Sequence, residues 1–116
     1  MCKNYINNHP KGTTWYGMEL LIEEEVIPAT DPKTYRPKDL TGATVVANFR
    51  KEHSLEISFI FSSENGIVTI PNPLDALIIF GSQLMNVDAY TYSFDVLLTY
   101  ANGDVEEVLS NFWKIE

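Results

Sequence analysis

The amino-acid sequence predicts an all-β chain folded as an antiparallel two-sheet sandwich, and three observations carry that prediction. Apolar and polar side chains alternate with a period of two along several stretches, most regularly from Asp88 to Tyr100. The pairs Asn65-Gly66 and Asn102-Gly103 fall between such stretches, where residues that tolerate positive φ close hairpins. The stretches are short and closely spaced, which gives about six strands rather than a series of strands and crossover helices.

Each element follows in order. Met1 to Gly12 is rich in Asn and Lys and reads as a flexible arm, with the sandwich domain covering residues 13–116. From Thr13 to Glu24 the alternation predicts a strand with Tyr16, Met18, Leu20 and Ile22 on one face and Trp15, Gly17, Glu19, Leu21 and Glu23 on the other. Ile27 to Asp39 holds Pro28, Pro32 and Pro37, which remove donors and fix φ, so it is expected as a long surface loop. Ala43 to Arg50 is the second strand, with Ala43, Val45, Ala47 and Phe49 inward. After a polar turn over Lys51 to Ser54, a third strand runs from Leu55 to Phe61, with Leu55, Ile57, Phe59 and Phe61 on one face. Ile67 to Ile70 is a short fourth strand, stopped by Pro71 and Pro73.

Leu74 to Met85 is ambiguous. Leu74, Leu77, Ile78, Leu84 and Met85 suit an amphipathic helix, with Asn72 or Asp75 as cap, so one short helix is expected near residues 74–85. Asp88 to Tyr100 is the clearest strand, with Tyr90, Tyr92, Phe94, Val96, Leu98 and Tyr100 on the core-facing side. Asp104 to Ile115 returns as the last strand, with Val105, Glu107, Leu109, Asn111, Trp113 and Ile115 sharing a face.

Composition narrows the function classes. At 116 residues the chain is one domain in size, and 45% hydrophobic with 21% charged residues is a globular composition. A net charge of −8 repels phosphate backbones and argues against direct nucleic-acid binding. Cys2 is the one cysteine, so no internal disulfide is expected. The first twelve residues lack an apolar run of the signal-peptide kind, and no segment approaches the ~18 apolar residues of a membrane span, so folding in a cytosol is expected.

The chemistry-bearing residues are sparse. His9 and His53 lie in the arm and a turn, without ligand spacing to Cys2, so no metal or cofactor is expected. Asp31, Asp75, Asp88 and Asp104 lack calcium-loop spacing. Neither histidine sits in a triad-like setting. Glu23-Glu24-Glu25 reads as a solvated strand end, and no glycine-rich phosphate loop occurs. The expectation is that the protein is not an enzyme. Its Phe, Tyr and Trp residues read mainly as core, while an exposed row of them would suit stacking on sugars. Trp15 and Trp113 are the two whose facing the pattern leaves open.

The order of turn and strand signals resembles a family of small tailed-bacteriophage virion proteins. The likeness is carried by Lys11-Gly12-Thr13, by Asp39-Leu40-Thr41-Gly42-Ala43-Thr44 leading to Arg50, by Asn65-Gly66-Ile67, by Tyr92-Ser93-Phe94-Asp95 and by Ala101-Asn102-Gly103-Asp104. It runs from about Lys11 to Ile115. The resemblance implies an immunoglobulin-like sandwich in the tail, baseplate or neck, or as an accessory head protein, made in the host bacterial cytoplasm and carried in the virion. It implies protein–protein contacts with other virion proteins or copies of itself, and no catalytic residues, membrane insertion or small-molecule substrate. The arm and the proline loop are the candidate contacts, through Lys3, Tyr5, Lys11, Pro28, Pro32, Tyr35, Arg36 and Pro37. The alternative is a carbohydrate-binding adhesion module that contacts a host surface glycan.

Overall fold

The computed structural model describes residues 8–26 and 34–116. The N-terminal strands are β1 (Thr14–Trp15), β2 (Met18–Leu21), β3 (Glu23–Glu25) and β4 (Tyr35–Pro37). The middle of the chain gives β5 (Thr44–Lys51), β6 (Ile57–Ser62), β7 (Val68–Thr69), β8 (Leu77–Phe80) and β9 (Gln83–Leu84). Two long strands close it, β10 (Thr91–Thr99) and β11 (Val105–Lys114). All the strand pairs are antiparallel, so the fold is all-β as the alternation predicts.

The main sheet has the order β11-β10-β5-β6, and a three-stranded sheet of order β2-β8-β7 faces it. β1–β9 and β3–β4 form two further, separate two-stranded sheets. Strict alternation on β5 and β10 sends Val45, Ala47 and Phe49, and Tyr92, Phe94, Val96 and Leu98, into one core with Leu20, Ile78 and Phe80 from the opposite sheet. Phe49 sits centrally, with ring centroids 4.5 Å from Phe59, 5.0 Å from Phe94 and 5.9 Å from Trp113. Burial of each such ring contributes about 1.5–3 kcal/mol. Trp15 and Trp113 both face this core, 5.0 Å apart.

The structure corrects several expectations. No helix of length forms between residues 74 and 85. A single 3-10 turn spans Pro73–Asp75, its start capped by the Asn72 side chain accepting from the Leu74 N–H at 3.2 Å. Ala76 then takes φ 54° and the chain enters β8, the central strand of its sheet. Burial at Ala76, Ile78 and Phe80 has a period of two, which a helix cannot satisfy, and β-branched and aromatic side chains favour the strand.

The Asn65-Gly66 turn closes no hairpin. β7 pairs with β8 and not with β6, so the turn carries the chain from one sheet to the other. The Asn65 side chain builds it, accepting from the Ser62 and Ile67 N–H groups and donating to the Ile60 carbonyl.

Two strands change phase. Tyr16 is 84% exposed while Trp15 packs inward, because Gly17 at φ 88° resets the alternation between β1 and β2. A Cβ there would lie 1.9 Å from the Phe80 carbonyl oxygen, so the position admits glycine alone. On β11, Val96 pairs with Leu109 but Leu97 pairs with Glu107, which leaves Val108 as a bulge. Leu109, Asn111, Trp113 and Ile115 keep the expected face. Val105 and Glu107 do not, since they stand opposite the outward Thr99 and Leu97.

The remaining differences are smaller. Leu55 is 97% exposed and precedes β6, and Tyr90 is 46% exposed at the start of β10. Tyr35–Pro37, expected as loop, pairs with Glu23–Glu25 as a short hairpin whose edge position tolerates Pro37. Within the arm, the N–H groups of His9, Lys11 and Gly12 donate to the carbonyls of Lys114, Glu116 and Met85, and the Glu116 N–H returns to His9. The part of the arm from Asn8 onward is thus tied to the end of β11.

Candidate functional site

Two surface regions gather chemistry-bearing side chains. The first is the β3–β4 hairpin and its surroundings, which hold the expected contacts Tyr35, Arg36 and Pro37. Tyr35 stands opposite Glu25 and is 56% exposed. The Arg36 Nε lies 3.1 Å from Glu24 Oε1, an exposed ion pair worth under about 1 kcal/mol. Beside the hairpin, a groove of about 380 Å³ runs between Leu21, Ile22 and Tyr35 on one side and Glu106, Glu107 and Val108 on the other. The bulge at Val108 places Glu106 on the Leu98 side of the sheet, where Glu106 accepts the Tyr100 hydroxyl at 2.6 Å. Burial and that carboxylate push the Tyr100 phenol above its ordinary range. The Lys38 ammonium caps the same ring, 4.2 Å from its centroid.

Lys11, the other expected contact that the structure describes, is not part of this group. It lies beside Glu116 at the far end of β11, and a ten-residue strand spans about 30 Å. Lys3, Tyr5, Pro28 and Pro32 lie outside the described residues.

The second region lies between the β5–β6 turn and the segment joining β9 to β10, a groove of about 420 Å³. Its polar lining is Lys51, Ser54, Glu56, Ser58, Asn86 and Asp88. Its apolar wall is Ile57, Phe59, Val87 and Tyr92. Lys51 Nζ and Asp88 Oδ2 are 2.7 Å apart. This hydrogen bond and the accompanying charge attraction lower the Asp88 carboxyl pKa and raise that of the Lys51 ammonium. The Tyr92 hydroxyl donates to the Asp88 carbonyl at 2.8 Å, and the Glu52 N–H donates to the Thr91 carbonyl at 2.9 Å, so both walls are fastened to β10. On β6, Arg50 pairs with Ile57 and Phe49 with Phe59, which leaves Ser58 as a bulge at the groove.

Sequence reasoning missed this second group. Lys51 and Asp88 are 37 positions apart, and only the β5–β10 register joins them. The Ser58 bulge carries no glycine or proline to betray it.

Other exposed aromatics are dispersed. Tyr16, Tyr35 and Phe112 occur on three separate segments, so with Tyr90 they form no shared row along one strand. Among the described residues, no group of three or more His, Cys, Asp or Glu side chains is placed to hold a metal ion. Among the described residues, no helix is long and apolar enough to cross a membrane. The Asp39 carboxylate accepts the Thr41 hydroxyl at 2.6 Å and the Thr41 N–H at 2.9 Å, which lowers its pKa and explains Asp39-Leu40-Thr41-Gly42 as turn chemistry. No family model, curated protein or solved structure matches the chain.

Proposed function

We propose that the protein is a non-enzymatic structural subunit of a tailed-phage particle, in the tail, baseplate or neck or as an accessory head protein. It acts by burying surface against other virion proteins, and the sandwich is the immunoglobulin-like body that presents those surfaces. The observation that carries this reading is the β3–β4 hairpin. It forms a two-stranded sheet of its own, with exposed Tyr35 and Arg36 and an acid-rimmed groove at its side. Tyrosine and arginine are the side chains that most often anchor protein interfaces. The order of turn motifs from Lys11 to Ile115 supports the particle context.

The shifted ionisable groups fit a structural role as well. Asp39 holds a turn, Lys51 and Asp88 form an ion pair, and Tyr92 and Tyr100 brace strands by single hydrogen bonds. Purified virions analysed by mass spectrometry should contain the chain at a fixed ratio to its neighbours. Arg36→Glu combined with Tyr35→Ala should leave the isolated protein folded and reduce its incorporation at least tenfold. Absence from virions, or full incorporation of the double variant, would remove this reading.

A further inference from the structure

We propose that the groove between the β5–β6 turn and the segment joining β9 to β10 binds one sugar ring of a glycan. This goes beyond an assembly role and stands on a different part of the molecule.

The chemistry of the lining selects the ligand class. A sugar hydroxyl both donates and accepts, so its site needs donors and acceptors interleaved. The groove supplies the Lys51 ammonium and the Ser54 and Ser58 hydroxyls beside the Asp88 and Glu56 carboxylates. Asn86, exposed on the opposite wall, carries both a donor and an acceptor in one amide. The carbon face of a sugar ring needs an apolar wall, which Ile57, Phe59 and Val87 provide. Tyr90, 46% exposed, lies next to the groove's Lys51, whose ammonium is 5.5 Å from its ring centroid. The volume of about 420 Å³ falls in the range of small-ligand sites.

Competing ligand classes fit less well. One ammonium faces two carboxylates, so there is no positive excess to select a phosphate or a carboxylate. The Lys51 ammonium already occupies the place at Asp88 that a ligand cation would take. A ligand without charge and rich in hydroxyls meets neither obstacle.

The walls are held before any ligand arrives. The Lys51–Asp88 ion pair joins the two sides, and the Tyr92 hydroxyl fixes the Asp88 backbone from the core side. Binding therefore costs little ordering, which suits a weak, open site.

The test is a backbone-amide NMR titration of the full chain with methyl glycosides of glucose, galactose, N-acetylglucosamine and rhamnose. At least one should give saturable shifts confined to residues 51–59 and 86–92, with a Kd on the order of 1 mM. Asn86→Ala should weaken that binding about tenfold, the worth of one well-made hydrogen bond. Glu64→Ala, remote from the groove, should leave it unchanged. Asn86 is exposed, so its variant should keep the wild-type spectrum elsewhere, which separates lost binding from lost folding. No saturable shift with any of the four glycosides, shifts centred elsewhere, or an unaffected Asn86→Ala variant would overturn the proposal. Any of these failures would leave the assembly reading standing, because that reading rests on virion content and on the β3–β4 hairpin.

Discussion

Tyr100 and Tyr92 show how single polar contacts tune an otherwise apolar interior. Burial raises the pKa of both phenols, and at Tyr100 the Glu106 carboxylate adds to the effect. A phenol whose folded pKa exceeds its unfolded value of about 10 holds its proton more tightly in the native state. Its contribution to stability is therefore complete below about pH 10 and is lost as pH rises through the folded value. In an ultraviolet titration, the absorbance of Tyr92 and Tyr100 should rise only with alkaline unfolding. Tyr100→Phe should remove part of the alkaline fall in unfolding free energy, since the variant has no proton to lose there. A single ordinary titration step with no loss of stability would show that neither phenol is held as described. The sequence placed Tyr92 inward correctly by its period, but it gave no means to pair Tyr100 with Glu106. That pairing depends on the Val108 bulge, and Val108 is an unremarkable strand residue by type.

At the scale of elements, the long strands and the short β7 were legible, while β4, β8 and β9 were not. On β10 every second side chain is buried for the whole length, and on β5 from Val45 to Phe49, so period and packing agree. Between residues 74 and 85, apolar residues are dense enough to match two periods at once, and the sequence alone does not rank them. Tertiary pairing decides: β8 receives β2 on one side and β7 on the other, a position that only a strand can fill. The same limit explains Gly17 and Asn65-Gly66. Turn residues announce a change of direction, whereas the sheet that receives the chain afterwards is set by distant partners. Alanine substitutions separate the two readings of 74–85. Ile78→Ala should cost about 2–5 kcal/mol, because Ile78 is wholly buried in the central strand. Leu74→Ala and Leu84→Ala should each cost no more than about 0.5 kcal/mol, because both residues are about two-thirds exposed. A helix packed through that face would make all three losses large. Urea unfolding of the three variants measures the difference.

For the molecule as a whole, the segment from His9 to Gly12 is hydrogen-bonded to the body of the fold at Met85, Lys114 and Glu116. The sequence suggests an arm through Gly12, on polarity alone. Polarity does not report backbone pairing, and His9, Lys11 and Gly12 use their main chains to close the end of the sandwich against Lys114, Glu116 and Met85. Four inter-segment backbone hydrogen bonds are involved, and each contributes about 0.5–1.5 kcal/mol net. Truncation should therefore act in two stages. Removing residues 1–7 leaves these four bonds in place, so it should lower the unfolding free energy less than the longer truncation does. Removing residues 1–12 should lower it by about 2–5 kcal/mol, since Trp113 and Ile115 also lose the cover of the His9 segment, whose ring lies 6.1 Å from that of Trp113. If the proposed assembly role is right, the shorter truncation is the informative one for function. Its loss of incorporation would report lost contacts through Lys3 and Tyr5, with the bonds of His9, Lys11 and Gly12 still in place. Equal stability of both truncations in urea would show that the His9–Ile115 bridge holds nothing, and the arm would then extend to Gly12 after all.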